Sequence, residues 1–200
     1  ASLLILNAAT GATISKLKTS VEGNNGLSSP VVLDANSDGI ADYVYAGDLQ
    51  GNLWRFDLIA PGSLTSSTTA SSYKVAFGNR PLYTATTTDT NGAVQSITAP
   101  PDIVSHPSSS GVLVLFGTGR YFTSADKSST DLQTLYGIWD KQVDAQTASS
   151  TPVLNRASLQ QQTITLQANN VDFSGTSNDV RIVSANAVDW TAKSGWYLDL

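Results

Sequence analysis

The amino-acid sequence predicts an all-β protein, specifically a β-propeller with modified blades and inserted loops, of which these residues form a fragment. Strong helix formers for exposed positions are scarce, because Glu22 is the only glutamate while Ser and Thr make up 48 of the 200 residues. The 15 Gly and 7 Pro are spread between short apolar runs, as in a chain of strands and turns. An apolar strand that ends in Asp or Asn also recurs along the chain.

The recurring strand has four copies: Leu4-Ile5-Leu6-Asn7, Trp54-Arg55-Phe56-Asp57, Gly137-Ile138-Trp139-Asp140 and Trp196-Tyr197-Leu198-Asp199. Their polar ends are 50, 83 and 59 residues apart. Repeats of roughly 40–50 residues are typical of propeller blades, and insertions lengthen some of them. A β-sandwich is the alternative, since aromatic strands ending in Asp are common there too. We predict one propeller domain over residues 1–200 with roughly three blades.

Both ends of the chain read as strand interiors, so we expect a piece of a larger domain. Segments 59–80 and 141–180 are predicted to be loop-rich insertions, because they are rich in small polar residues and lack a sustained hydrophobic period. Within them, 59–72 and 144–162 are the expected contact regions for partners, since loops carry binding more often than strands do.

Charge and composition exclude several function classes. A net charge of −5 and an isoelectric point near 4.6 argue against a nucleic-acid partner, whose phosphates need a basic surface. No apolar run approaches the ~18 residues of a membrane helix. The chain has no Cys, which excludes disulfides. A surface rich in Ser and Thr but poor in Lys favours a secreted protein of a bacterial exterior.

The sequence does not predict an enzyme. His106 is the only histidine, and we predict that it lies in a surface loop rather than in a catalytic triad. The four tryptophans, Trp54, Trp139, Trp190 and Trp196, could form a sugar-binding platform, but their apolar surroundings favour core packing.

One segment, residues 34–42, carries recognisable chemistry. Its oxygen-bearing side chains stand at positions 1, 3, 5 and 9, Gly39 stands at position 6, and position 7 offers a backbone carbonyl. This is the pattern of the first part of an EF-hand loop, whose alternating hard oxygens bind calcium. The predicted calcium ligands are Asp34, Asn36, Asp38, Ile40 (through its carbonyl) and Asp42.

The segment departs from an EF-hand at position 12, which is Tyr45 rather than Glu, and its flanks read as strands rather than helices. Three carboxylates this close repel one another by about 1–4 kcal/mol per close pair, and a divalent cation reverses that repulsion. An Asp/Asn/Gly turn held by side-chain hydrogen bonds without metal is the alternative.

Several runs together resemble the PilC/PilY family of type IV pilus biogenesis factors and tip-associated adhesins. The most specific runs are Ser28–Asp34 and Tyr43–Leu58, and weaker ones are Phe116–Phe122, Leu135–Asp140 and Gly195–Leu200. The resemblance implies a C-terminal, modified propeller with one calcium site in a loop between blade strands. It carries the calcium ligands over to the same five residues of the 34–42 segment.

The resemblance also implies a role and partners. In the family, calcium occupancy of this domain is coupled to pilus extension and retraction, and an N-terminal domain contributes to adhesion. We therefore expect minor pilins at the pilus tip as partners, a possible host or surface receptor, and a location at the pilus tip or outer membrane. The chain has no Arg-Gly-Asp tripeptide, so an integrin-type contact through that motif is not predicted.

Two other functions stay open at this point. The turn from Asn7 to Gly11 is similar to a quinoprotein-type propeller repeat, which allows a fragment of a propeller dehydrogenase. The other is a generic extracellular propeller that calcium stabilises and that has no connection with pili.

Overall fold

A computed structural model describes residues 1–59, 70–88, 92–141 and 154–200, and almost all of its regular structure is strand. The all-β prediction is confirmed. The strands are β1 (Ser2–Leu6), β2 (Thr13–Lys18), β3 (Val31–Leu33), β4 (Tyr43–Gly47), β5 (Asn52–Asp57), β6 (Lys74–Val75), β7 (Tyr83–Thr84), β8 (Asp102–Ser105), β9 (Val112–Gly117), β10 (Thr134–Asp140), β11 (Gln160–Gln162), β12 (Ile164–Phe173), β13 (Thr176–Val183) and β14 (Gly195–Asp199). Single helical turns lie at Ala70–Ser72, Asp126–Ser128 and Arg156–Ser158, whereas the turn at Ala76–Asn79 has positive φ at Phe77, Gly78 and Asn79.

The strands form two larger sheets and two hairpins. The first sheet has the order β3-β4-β5-β6, with β7 paired to the same edge of β5 as β6. The second sheet has the order β11-β14-β10-β9-β8, in which only the β11–β14 pair is parallel. Strands β1 and β2 form one hairpin, and β12 and β13 form the other. The antiparallel runs β3 to β6 and β8 to β10 with β14 are the four-stranded arrangement of propeller blades.

The core lies between the two sheets, and a second cluster backs the first sheet. All residues of β4 and β5 are buried, which places these strands at the centre of the molecule. Aromatic side chains dominate the main cluster, including Tyr43, Tyr45, Tyr83, Phe116 and Tyr136. The second cluster packs Leu17 of the β1–β2 hairpin against Val44, Ala46, Trp54, Phe56 and Val75. Successive side chains of β4 and β5 point to opposite faces of the sheet, so each strand contributes residues to both clusters.

Gly47 marks a close approach between two chain segments. A Cβ added at Gly47 would lie 2.1 Å from Cγ2 of Ile97, a residue that is itself fully buried. Any larger residue would push the end of β4 away from this segment, which connects the two sheets. Gly47 is therefore required for packing.

The recurring strand motif lies in β1, β5, β10 and β14, so each copy does form a strand. Its spacing, however, is not a uniform blade period. Strands β10 and β14 are antiparallel neighbours in one sheet, with Tyr136 opposite Tyr197. Over the 59-residue interval between Asp140 and Asp199 the chain therefore leaves this sheet and returns to it, and the interval is not one blade repeat.

The segment predicted as a loop-rich insertion over 141–180 contains regular structure in its described part. Strands β12 and β13 pair in antiparallel fashion: Ile164 lies opposite Val183 at one end, Phe173 lies opposite Thr176 at the other, and the register shifts twice in between. Sequence periodicity misses this hairpin because every described position of β13 is exposed or half-buried, so neither face needs a continuous apolar row. Most of the two expected contact loops, residues 60–69 of the first and 144–153 of the second, lies outside the described residues.

Candidate metal centre and its surroundings

The predicted calcium loop, residues 34–42, connects β3 to β4 at the edge of the first sheet. Its two ends are tied together, because the backbone N–H of Asp42 donates to the carbonyl of Leu33 at 2.8 Å. The Asp42 carbonyl accepts a 2.8 Å hydrogen bond from the N–H of Leu58, just beyond β5. The loop therefore starts and ends at fixed points of the sheet.

Within the loop, the predicted ligands bond to backbone N–H groups. Asp34 accepts from the N–H of Asp38 at 3.1 Å and from that of Gly39 at 2.7 Å. Asn36 Oδ1 also accepts from Asp38 N–H, and Asp38 Oδ1 accepts from Ile40 N–H, both at 2.9 Å. These bonds curl the chain around its own side-chain oxygens, which is how Asp and Asn stabilise turns.

The tight curl depends on two residues with positive φ. Gly39 has φ +86° and nothing within 4 Å of an added Cβ, so conformation and not space favours glycine there. Ser37 has φ 61°, in the left-handed region that non-glycine residues enter rarely. Gly39 thus has the conformational role that position 6 of a calcium loop requires.

Asp42 differs from the other acids of the loop because it is 2% exposed. Its Oδ2 accepts a 2.7 Å hydrogen bond from Ala35 N–H across the loop. Burial raises the pKa of Asp42, and the neighbouring charges of Asp38 and Asp34 raise it further, while backbone hydrogen bonds oppose the shift. A nearby cation would relieve both effects.

The donor set fits calcium in chemical type, since all five predicted ligands offer hard oxygens. A carboxylate that accepts N–H bonds keeps further lone pairs for a cation. Across the described ranges, however, no three acidic or histidine side chains converge as a ready-made metal cage. The five ligands therefore stay a prediction.

The side chain at position 12 cannot complete the site. Tyr45 is fully buried, and its hydroxyl donates a 2.8 Å hydrogen bond to Asp140 Oδ2 in the second sheet. The departure from the EF-hand pattern thus places a core residue where that pattern has a ligand.

The same Asp140 belongs to a buried cluster that sequence reasoning missed, formed by Tyr45, Arg55, Asp57 and Asp140, here called the Arg55 cluster. Arg55 bonds Asp57 through Nε and Asp140 through Nη1, both at 2.8 Å. Its guanidinium also lies 4.7 Å from the ring centre of Tyr43 and 4.6 Å from that of Phe77. The cluster joins β5 of one sheet to β10 of the other.

Two further acids next to strands, Asp199 and Asp48, each accept several hydrogen bonds from distant side chains or from a turn. Asp199 accepts two 2.7 Å hydrogen bonds from Nη2 of Arg156. Asp48, at the β4–β5 turn, accepts from Asn25 Nδ2, Asn52 N and Nδ2, Gln50 N and Trp54 Nε1. The sequence does contain one signal for such buried ion pairs. A charged residue inside an apolar strand, such as Arg55, must be paired when it is buried.

The prediction that His106 lies in a surface loop is wrong, because its side chain is buried just after β8. Its ring lies 4.1 Å from that of Trp139 and 4.3 Å from that of Trp190, between centroids. Burial and the charge of Lys141 lower the pKa of His106. Flanking Ser and Pro residues suggested exposure, whereas two distant aromatic residues enclose the ring.

The four tryptophans divide into two pairs. Trp54 and Trp139 are buried, as predicted. Trp190 and Trp196 are half-buried and line a shallow cavity of about 470 Å³ with Leu135 and Val183. The indole of Trp196 lies against the backbone of Gly137, where an added Cβ would meet it at 2.6 Å.

Comparison with known proteins identifies the architecture. A sequence profile described as the PilY1 beta-propeller domain matches residues 1–178. The type IV pilus biogenesis factor PilY1 of Pseudomonas aeruginosa strain PAK is 50% identical over 218 residues, covering 100% of this chain and 18% of that protein. A PilY1 homolog of Xylella fastidiosa is 38% identical over 211 residues, covering 99% of this chain and 13% of that protein.

A solved structure agrees with the sequence matches. The crystal structure of the Pseudomonas aeruginosa PilY1 C-terminal domain superposes with a TM-score of 0.88 at 50% identity, covering 99% of this chain and 44% of that chain. The propeller prediction and the family resemblance are confirmed. The chain spans less than a fifth of the Pseudomonas strain PAK relative.

Proposed function

The chain belongs to the PilY1 β-propeller family, and from this premise we propose that it is the calcium-binding propeller of a type IV pilus biogenesis factor. In this proposal, calcium in the 34–42 loop regulates pilus extension and retraction and supports adhesion or twitching motility. The observation that carries it is the conformation of that loop, in which Gly39 turns the chain and four side chains direct oxygens into one nine-residue curl.

A bound calcium ion would supply the positive charge that offsets repulsion among the three loop carboxylates. Asp34, Asn36 and Asp38 would contribute side-chain oxygens from the curl, and Asp42 would contribute from the base. Ile40 is half exposed and would offer its carbonyl. Because Asp42 is fixed to both Leu33 and Leu58, ordering of the loop would act directly on the edge of the first sheet.

The loop also stands next to the contact between the sheets. Tyr43 follows Asp42 directly, and its ring packs under the Arg55 guanidinium that bonds Asp140 of β10. A change in the position of Asp42 can therefore reach the Arg55 cluster through the Asp42–Tyr43 peptide bond and the contact of the Tyr43 ring with Arg55. This short path supports a regulatory role for calcium in addition to a stabilising one.

The proposed location is the bacterial cell surface, at the pilus tip or outer membrane, with minor pilins as partners and a host or surface receptor as a further ligand. Among the residues that the structure describes, no helix is long and apolar enough to span a membrane. The family match favours the role of a pilus biogenesis factor over that of a quinoprotein dehydrogenase. That the chain has no catalytic activity stays a prediction.

Calcium binding is tested by titration calorimetry on Asp38→Ala. Asp38 is exposed, so we expect the variant to fold normally while losing most of the calcium affinity. Magnesium should bind much more weakly to the wild type, because it demands shorter octahedral distances. Asp102→Ala, an exposed Asp on β8, is the matched control and should bind like the wild type. Equal calcium uptake by Asp38→Ala and wild type would refute the site.

The role of calcium is tested in the full-length protein with Asp34→Ala. We expect altered piliation or twitching while the protein is still exported, with Asp102→Ala unchanged. Surface labelling and immunoblotting separate a loss of export from a loss of regulation. Normal piliation and twitching in a strain whose Asp34→Ala protein binds no calcium would leave the metal a purely structural role.

A further inference from the structure

A long loop between β9 and β10, residues 118–133, has a polar cavity and two exposed aromatic rings that the calcium proposal does not use. Its neck is closed by Thr118, whose N–H donates to the Thr134 carbonyl at 3.0 Å and whose Oγ1 accepts from Thr134 N–H at 2.8 Å. Thr118 Oγ1 also donates to Gln133 Oε1 at 2.9 Å. Compact loops with tied ends are frequently functional.

The first half of this loop is organised around a single carboxylate. Asp126 accepts hydrogen bonds from the N–H groups of Phe122 and Thr123, at 3.0 and 2.8 Å, and from Nε of Arg120 at 2.9 Å. The backbone hydrogen bonds lower the pKa of Asp126 to about 2, so it is ionised at any physiological pH. The segment that carries Tyr121 and Phe122 is therefore held in place.

Tyr121 and Phe122 are 72% and 68% exposed, more than any other large apolar side chain that the structure describes. A single exposed apolar residue needs no explanation, but two adjacent aromatic rings on a fixed loop present flat apolar surface to solvent. Such rings bind ligands that combine an apolar face with polar edges.

A cavity of about 670 Å³ lies between this loop and the segment 93–96, and its lining includes Arg120 and Ala125, which stand on either side of the two aromatic residues in the sequence, but not the rings themselves. Hydroxyl, amide and charged groups line it, including Arg120, Ser128, Ser129, Thr130, Asp131 and Gln133. Nε of Arg120 is bound to Asp126, so its two terminal amino groups are the ones that can reach a ligand. The size is that of a small-molecule site.

The charges in the cavity select against anionic ligands. Asp126 compensates Arg120, and Asp131 adds a further negative charge, so a phosphate or sulfate finds no net positive site. The remaining chemistry, hydroxyl and amide groups in a loop that also carries two exposed aromatic rings, matches a neutral polyhydroxylated ligand.

We propose that the 118–133 loop, its cavity and the rings of Tyr121 and Phe122 form a binding site for neutral saccharides. The rings stack on the C–H face of a sugar, and the cavity groups bond its hydroxyls. The site shares no residue with the calcium loop, so it stands whether or not that loop binds metal.

The test titrates the full chain with lactose, maltose, N,N′-diacetylchitobiose and mannobiose, up to tens of millimolar, and follows ligand signals by saturation-transfer NMR. We expect at least one disaccharide to bind in the millimolar range and the Tyr121→Ala/Phe122→Ala variant to bind at least about tenfold more weakly. Leu4→Ala, which removes an exposed apolar side chain from β1, should leave binding unchanged. Both rings are exposed, so melting curves of the variant should match the wild type.

Two outcomes would overturn the proposal. The first is no binding by any of the four disaccharides, and the second is equal binding by the double variant. If the wild type binds no saccharide and the double variant also loses pilus association, the rings belong to a contact with a protein partner. Repeating the titration in EDTA separates this site from the calcium proposal, which fails or stands on its own calorimetry.

Discussion

Aspartates serve opposite purposes in the calcium loop and in the Arg55 cluster. In the loop, Asp34 and Asp38 face their own backbone N–H groups near solvent and retain lone pairs for a cation. In the cluster, Asp57 and Asp140 are buried and already hold a guanidinium at 2.8 Å. The first arrangement is built from neighbours in sequence, whereas the second joins residues 85 positions apart.

The difference between the loop and the cluster indicates which acidic residues could bind a metal ion. Burial raises the pKa of Asp57 even though Arg55 lowers it, so the cluster bears a desolvation cost and contributes fixed geometry more than net stability. The loop acids bear mutual repulsion instead, which a ligand can remove. An acid with a local N–H partner is open to metal, and an acid with a buried arginine is not.

Asp140→Ala should have the largest effect, because it leaves Arg55 with one buried partner and removes the acceptor of Tyr45 OH. Breaking a buried pair costs about 3–5 kcal/mol of unfolding free energy. Urea unfolding of the full-length protein measures it, and Asp140→Asn, which keeps an acceptor, should lose less. A loss below about 1 kcal/mol would erase the distinction between the two regions.

Two glycines sharpen the same contrast. Gly47→Ala should cost about 1–3 kcal/mol through overpacking, because the new Cβ would strike Ile97. Gly39→Ala meets nothing within 4 Å, so it should cost only about 1 kcal/mol of conformational strain at φ +86°. Unfolding in EDTA compares them without metal. A larger loss for Gly39→Ala would mean that the loop is packed more tightly than its surroundings indicate.

The smallest expected effect is a pH dependence at His106. Its lowered pKa means that the unfolded chain binds more protons just below pH 6.5 than the folded chain does. This contribution to stability is fully present above the unfolded pKa and is lost as pH falls below it. Melting temperatures between pH 7.5 and 5.5 should fall less for His106→Phe than for wild type. Parallel curves would contradict this assignment.

Sequence reasoning reached the features whose signals are local. The 34–42 loop could be located because its donors, its glycine and its flanking strands lie within about fifteen consecutive residues, and the curl around Gly39 follows from them. The hairpin β12–β13 could not, because its exposed strands lack an apolar row. The Arg55 cluster and the enclosure of His106 depend on residues from other sheets and loops, whose proximity only the fold creates.

The bond between Arg55 and Asp140 also restricts how this chain can diverge. Loss of Arg55 alone strands the buried carboxylates of Asp57 and Asp140. Loss of Asp140 alone leaves Arg55 with Asp57 and removes the acceptor of Tyr45 OH, so single substitutions at these positions pass through an unstable intermediate. Neutral replacement has to include Arg55, Asp57 and Asp140 together, as in a change to apolar residues of similar volume. Two strands far apart in the chain are thereby expected to vary as a unit among homologues, and this joint variation would mark their contact in an alignment.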